Sequence, residues 1–229
     1  LTTKLIKQLY FSCKICLQNL EVTGIMIRRL VLFSLGNPGP INRHLAGHHV
    51  LQQLSRAEGI SLSHKSSIFE SGELEKWTLV HLLVYMNELG KALGQFLQNQ
   101  RLGDDALVIL YDDFEVDAGR VKIQPMKAKD LHNGLSSCYS KLNNLGIDLE
   151  HVFKLGIGIG PKPKRATSNE MARWVLSKFR PEELYKIDTT GVPMCEDYLS
   201  EVSKGMSLAQ TSRWNKVFVK KHQRGDYGG

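Results

Sequence analysis

Apolar positions follow two rhythms along this chain, and each change of rhythm marks a new element. The run from Arg28 to Leu35 is β-branched and apolar and ends at Gly36-Asn37-Pro38-Gly39, which predicts a buried strand followed by a tight loop. From Gly47 to Arg56, Val50, Leu51 and Leu54 recur at helical spacing, and Gly59 ends that helix. Residues 67–74 and 77–84 read as two strands around a turn near Glu75-Lys76. A helix follows with Leu89, Ala92, Leu93, Phe96 and Leu97 on one face. Ala106 to Tyr111 form a second buried strand that stops at Asp112-Asp113, and Arg120 to Gln124 alternate as a half-exposed strand. A basic loop from Met126 to Leu131 leads to His132-Asn133-Gly134 and a helix through Lys141. A strand over 152–159, a helix over 169–177, and a last helix from Pro181, interrupted at Pro193, complete the pattern.

Strands alternating with helices predict an α/β single domain, with a mixed, mostly parallel sheet covered by helices on both faces. The length, 229 residues, suits one domain with tails. Residues 26–216 carry the pattern. Residues 1–25 differ: Lys4, Lys7 and Lys14 stand against one acid, Glu21, among hydroxyl and scattered apolar residues. That composition is similar to a mitochondrial transit segment without its arginines, and it reads as an extension outside the fold. Residues 217–229 are polar and glycine-rich and read as a loose tail. No run of about 18 apolar residues exists, so no membrane span is expected.

The formal net charge is +7 and the pI about 9.2, enough to attract a polyanion, of which RNA is the commonest. Cys13, Cys16, Cys138 and Cys195 are too few and scattered for a disulfide scaffold. Cys13-x-x-Cys16 is half of a zinc pattern with no second pair behind it, so no metal site is predicted. Gly156-x-Gly158-x-Gly160 has the wrong spacing for a dinucleotide loop and is followed by Pro161 rather than a helix.

In α/β sheets, sites gather beyond the carboxyl ends of strands. Asn37, Asn87, Asp112 and His132-Asn133 all lie at or just after apolar runs. Of the eight histidines, His44 stands out because Arg43-His44 lies in a short loop after the first strand, whereas His48 and His49 begin a helix and read as packing residues. There is no Gly-x-Ser-x-Gly elbow and no cysteine placed as a nucleophile. Direct attack by water on a carbonyl, with histidine removing the proton, is then the simpler chemistry. Asp112 is the leading acceptor to orient that histidine, with Asp113, Glu115 and Asp117 as competitors.

Taken in order, Leu35-Gly36-Asn37-Pro38-Gly39, Arg43-His44-x-Ala46-Gly47, Tyr85-Met86-Asn87-x-x-Gly90-Lys91, Asp112-Asp113-x-Glu115 with His132-Asn133-Gly134, and Gly156-Ile157-Gly158-Ile159-Gly160 resemble the bacterial-type peptidyl-tRNA hydrolase family over roughly residues 28–205. The resemblance implies a catalytic domain over 26–216 that hydrolyses the ester joining peptide to tRNA, without metal or other cofactor, and so recycles tRNA from aborted translation. It implies His44 as the base that activates water, Asp112 as its orienting partner and Asn37 beside the attacked carbonyl. Met86, Asn87, His132 and Asn133 would hold peptide backbone and tRNA end, since amides offer donors and an acceptor without charge. Lys122, Lys127, Lys129, Lys154, Lys162, Lys164 and Arg165 could hold RNA phosphates on a basic cleft rim. The expected form is a monomer, mitochondrial or cytoplasmic.

The chain also departs from that family. The glycine-rich loop before the second histidine reads Met126-Lys127-Ala128-Lys129-Asp130-Leu131 here, and the residue after the catalytic histidine is Leu45. Basic positions that help bind the tRNA 5′ phosphate in bacterial members fall on Gln124 and Gly156, and the loop from Gly39 to Arg43 is short. These losses support an alternative, a non-catalytic RNA-binding relative that kept the fold. A third reading, an unrelated esterase or amidase, is weakened by the missing nucleophile.

Overall fold

The computed structural model describes residues 27, 29–98, 100 and 102–223. The extension over 1–25, with its cysteine pair, lies outside the described residues, as do residues 224–229.

Among the described residues seven strands form one sheet: β1 (Leu30–Ser34), β2 (His64–Lys65), β3 (Phe69–Leu74), β4 (Trp77–Leu82), β5 (Ala106–Asp117), β6 (Val121–Pro125) and β7 (Val152–Gly160). Their order is β2-β3-β4-β1-β5-β7-β6. The middle four pair in parallel, while the β2–β3, β3–β4 and β6–β7 ladders are antiparallel. The expected mixed, mostly parallel sheet is therefore present. β1 and β7 are buried at every position, because both of their faces are covered.

Among the described residues seven helices cover the sheet: α1 (Ala46–Ala57), α2 (Leu89–Gln98), α3 (Asn133–Asn144), α4 (Ser168–Val175), α5 (Pro181–Lys186), α6 (Val192–Ser203) and α7 (Thr211–Gln223). Alternate residues of β1 go to opposite cores. Leu30 and Leu32 join Val50, Leu51 and Leu54 of α1, Tyr198 and Leu199 of α6, and Phe218 of α7. Val31 and Phe33 join Leu89, Leu93 and Phe96 of α2 and Leu135, Cys138 and Leu142 of α3. Among the described residues no helix is long and apolar enough to cross a membrane.

Three details differ from the sequence reading. β5 does not stop at Asp112 but runs to Asp117, because β7 continues to pair with it after β1 has ended: Asp112 is opposite Ile157 and Asp113 opposite Gly158. Pro193 does not break a helix. It lies in the first turn of α6, and a π-helical stretch, Ile187–Gly191, precedes it and joins α5 to α6. The wider turn relieves the clash that a proline ring makes with the carbonyl one turn back.

The third difference is the tail. Residues 217–223, expected to be loose, complete α7, and Phe218 is buried with its ring stacked 5.1 Å from Trp214 and edge-on to Tyr198 at 4.8 Å. The Asn215 carboxamide reaches the outer edge of β6, accepting from the Ile123 N–H at 3.0 Å and donating to the Ile123 carbonyl at 2.9 Å. Truncating Phe218→Ala is expected to destabilise the protein by about 3 kcal/mol in urea unfolding. A loss under about 0.5 kcal/mol would return this segment to the status of a surface tail.

Candidate active site

The site forms where β1 and β5 diverge. After β1 the chain passes Asn37 and turns through a short 3-10 segment, Arg43–Leu45, straight into α1. Gly47 lets α1 press against β5: a Cβ there would lie 2.6 Å from the Leu110 carbonyl oxygen. That contact brings His44, three residues earlier, beside Asp112, two residues beyond Leu110.

His44 Nδ1 lies 2.9 Å from both Asp112 carboxylate oxygens. His132 Nε2 lies 3.0 Å from Asp112 Oδ1. His132 is the N-cap of α3, and its Nδ1 accepts the Leu135 backbone N–H at 3.3 Å. With Nδ1 used as an acceptor, the ring hydrogen of His132 is on Nε2 and donates to Asp112. His44 likewise donates from Nδ1, which leaves its Nε2 as a free acceptor.

Asp112 is buried at 1% exposure. Burial alone would raise its pKa, but the hydrogen bonds and charges of His132 and His44 bring it down to about 2, so it is a carboxylate. For His44, burial favours the neutral ring, yet the Asp112 hydrogen bond and charge outweigh burial and raise its pKa above the usual 6.5.

Of the four acids weighed from sequence, only Asp112 reaches His44. Asp113 accepts from the Tyr111 hydroxyl at 3.1 Å and the Glu115 N–H at 2.9 Å, Glu115 pairs with Lys162, and Asp117 is exposed at the end of β5. The other two histidines near the loop are packing residues, as expected. His48 is buried against Ser34 Oγ at 2.7 Å, and burial and then His81 push its pKa down to about 3, while His49 Nε2 meets Asp188 of the π-helical stretch at 2.5 Å.

His44, Asp112 and His132 also form the one three-residue group of possible metal ligands among the described residues. An ion between them would replace both ring protons facing Asp112. For His132 that moves the remaining proton to Nδ1, directly against the Leu135 N–H. The trio is therefore built as a hydrogen-bonded orienting set, and its chemistry suits proton transfer better than metal ligation.

A cleft of about 700 Å³ opens over the trio. His44, Asp112, His132, Asn133, Met86, Lys162 and Arg165 line it together, so half of the fourteen sequence-predicted residues converge. Asn37 lies on a smaller adjoining cavity of about 310 Å³, and its Oδ1 accepts the Met86 N–H at 2.9 Å, which turns its amide nitrogen away from that bond. Asn87 is exposed next to Met86 and does not line the cleft. Lys122, Lys127, Lys129 and Lys164 are exposed but likewise outside the lining. Lys154 is withdrawn from the proposed rim, being buried and paired with Asp130.

The same lining has an apolar part: Phe114, Leu131, and Met171, Ala172 and Val175 of α4. Sequence reading missed this part and the residue that anchors it. Arg43, noted only as a neighbour of His44, is buried. Its Nη2 donates to Glu183 at 2.6 Å, and its Nη1 donates to Ser177 Oγ and the Lys178 carbonyl, each at 2.6 Å. The guanidinium lies 5.3 Å from the Trp174 ring centre. One side chain thus ties the end of α4 and the start of α5 to the turn that carries His44. No local pattern marks Arg43 as an anchor, since its partners lie more than 130 residues further along the chain.

A family model described as peptidyl-tRNA hydrolase matches residues 31–223. A peptidyl-tRNA hydrolase of Kosmotoga olearia is 32% identical over 201 residues, covering 83% of this chain and 99% of the relative. One of Clostridium perfringens is 28% identical over 197 residues, with coverage of 83% and 99%. The crystal structure of the Acinetobacter baumannii peptidyl-tRNA hydrolase superposes with a TM-score of 0.63 at 23% identity, over 84% of this chain and 95% of that one, and shares the fold.

The geometry makes a prediction about titration. His44, followed by NMR of its ring, should titrate above 6.5, and Asp112→Asn should bring it below 6.5, since burial then acts unopposed. An unchanged His44 titration in that variant would mean Asp112 does not set its protonation.

Proposed function

The chain belongs to the peptidyl-tRNA hydrolase family and hydrolyses the ester bond between peptide and tRNA, and we propose that His44, oriented by Asp112, removes the proton from the attacking water. The observation that carries this assignment is the pair of 2.9 Å contacts from His44 Nδ1 to Asp112, which leaves Nε2 free on a ring that lines the cleft.

Water bound at His44 Nε2 attacks the ester carbonyl carbon as its proton passes to the imidazole. Asp112 then faces an imidazolium and stabilises it without taking the proton. The carbonyl oxygen becomes an oxyanion. The Asn37 amide nitrogen, its oxygen occupied by the Met86 N–H, is the donor assigned to it, a role that contributes roughly 3 kcal/mol when geometry is good. Collapse of the intermediate breaks the bond to the ribose 3′ oxygen, which takes the proton back from His44. Free tRNA leaves with the peptide acid, which gives its remaining proton to solvent and becomes a carboxylate.

Asn133 and Asn87 are assigned to substrate amides and the tRNA end, and Met86 packs in the cleft. His132 contributes by holding the second side of Asp112. The alternative of a non-catalytic relative is not favoured, given family membership and an intact His44–Asp112 pair. The phosphate surface is assigned to Lys162, Lys164 and Arg165 with Lys122, Lys127 and Lys129. Leu131 from one loop and Lys162 and Arg165 from the other border the same cleft, which supports a common rim. The described surface is read as that of a monomer.

Two outcomes test these assignments. His44→Ala should lower kcat by about 100-fold or more on peptidyl-tRNA while tRNA binding changes little, and near-normal turnover would remove His44 from the mechanism. Replacing Lys162, Lys164 and Arg165 together by alanine should weaken binding of different tRNAs by similar factors and flatten the salt dependence of binding, with kcat at saturation retained. Normal binding by the triple variant at moderate salt would make this turn an ordinary solvated loop.

A further inference from the structure

We propose that the buried Lys154–Asp130 ion pair is a positioning device for the reaction: it fixes the loop 126–131 so that His132 keeps its hold on Asp112. The proposal rests on the assignment of His44 as the base.

The pair joins the middle of β7 to the loop before α3. Lys154 is in the middle of β7, between Ile109 and Gln124 in the ladder, and its ammonium lies 5.6 Å from the Tyr111 ring centre. Its partner is Asp130 Oδ2, on the loop before α3. Both side chains are nearly out of water, at 7% and 11% exposure.

Asp130 is bound on every side. Oδ1 accepts the His132 backbone N–H at 3.3 Å, and its carbonyl accepts the Ser136 hydroxyl at 3.0 Å. His132 then caps α3 through Nδ1 and donates to Asp112 through Nε2. The path from Lys154 to His44 is thus a continuous set of hydrogen bonds: Lys154, Asp130, His132, Asp112, His44.

A buried ion pair is a poor way to gain stability, since apolar residues of similar volume often do as well, but it does specify one geometry. Here the geometry is needed. The loop Met126 to Leu131 carries Lys127, Ala128, Lys129 and Leu131, all exposed, with Leu131 at 81%. Only Met126 and Asp130 hold it from within.

His132 in turn matters to His44 because both draw on one carboxylate. With His132 in place, Asp112 divides its charge between two N–H donors. If His132 drifts, Asp112 acts on His44 alone and favours the imidazolium, so the base is lost at a higher pH. The other charged groups lining the cleft are Lys162, which pairs with Glu115 outside the lining, and Arg165, and none is altered in the test below.

The test is the double variant Asp130→Asn/Lys154→Met, which keeps the volume and leaves no unpaired buried charge, beside Lys154→Arg, which keeps the pair. With peptidyl-tRNA as substrate, the double variant should fold and show a kcat about tenfold lower, with KM within about threefold. The acid limb of its kcat/KM profile should move to higher pH, and Lys154→Arg should restore both. A kcat and an acid limb both like those of the unmodified protein would overturn the proposal, as would a lower kcat with an unmoved acid limb, which is loss of folded protein only. Should the double variant not fold, hydrogen exchange on the unmodified protein decides. Strong protection of the His132 amide supports the device, and exchange as fast as at Lys127–Lys129 sinks it. Failure of His44→Ala to lose activity would instead sink the base assignment, and is read separately.

Discussion

A carboxylate at 1% exposure is costly to keep charged, and the Asp112 site depends on how that charge is met. Two imidazole N–H groups meet it, one from the turn before α1 and one from the cap of α3. The two helices lie on opposite faces of the sheet, so the contact closes the site from both sides at once. It also sets the chemistry. The same hydrogen bond that keeps Asp112 ionised commits His44 Nδ1 as a donor and leaves Nε2 to act as a base.

Much of this was legible in the sequence, for a physical reason. Strands buried on both faces read as continuous apolar runs, so β1, β5 and β7 were visible, and polar residues directly after them were exposed as candidates. Asp112 was harder to separate from Asp113, Glu115 and Asp117, because the four differ only in which way the strand turns each carboxylate. Strand pairing with β7 decides that, and pairing is not written in local composition. Arg43 was invisible as an anchor because its partners, Ser177, Lys178 and Glu183, are more than 130 residues away. The helix α7 was missed because its polar face dominates its composition, and only Trp214 and Phe218 at helical spacing betray the buried side.

The basic surplus also divides once side chains are placed. Lys154 serves the interior, and Lys162 is shared with Glu115. What reaches the cleft without such a commitment is chiefly Arg165, whose backbone is in the left-handed region at φ 57°. Net charge alone counts these three cations as equal. A polyanion meeting the surface would not.

Asn215 has a consequence for how the molecule behaves in company. A strand at the end of a sheet offers its outward N–H and C=O groups to any extended chain that passes, and β6 is such a strand. The Asn215 amide occupies one such pair, that of Ile123, with a side chain that imitates a neighbouring strand. The opposite end of the sheet is guarded differently, by a two-residue strand, His64–Lys65, too short and too polar to template addition. Removing α7 would therefore open this edge at Ile123, where Asn215 now stands in for a neighbouring strand.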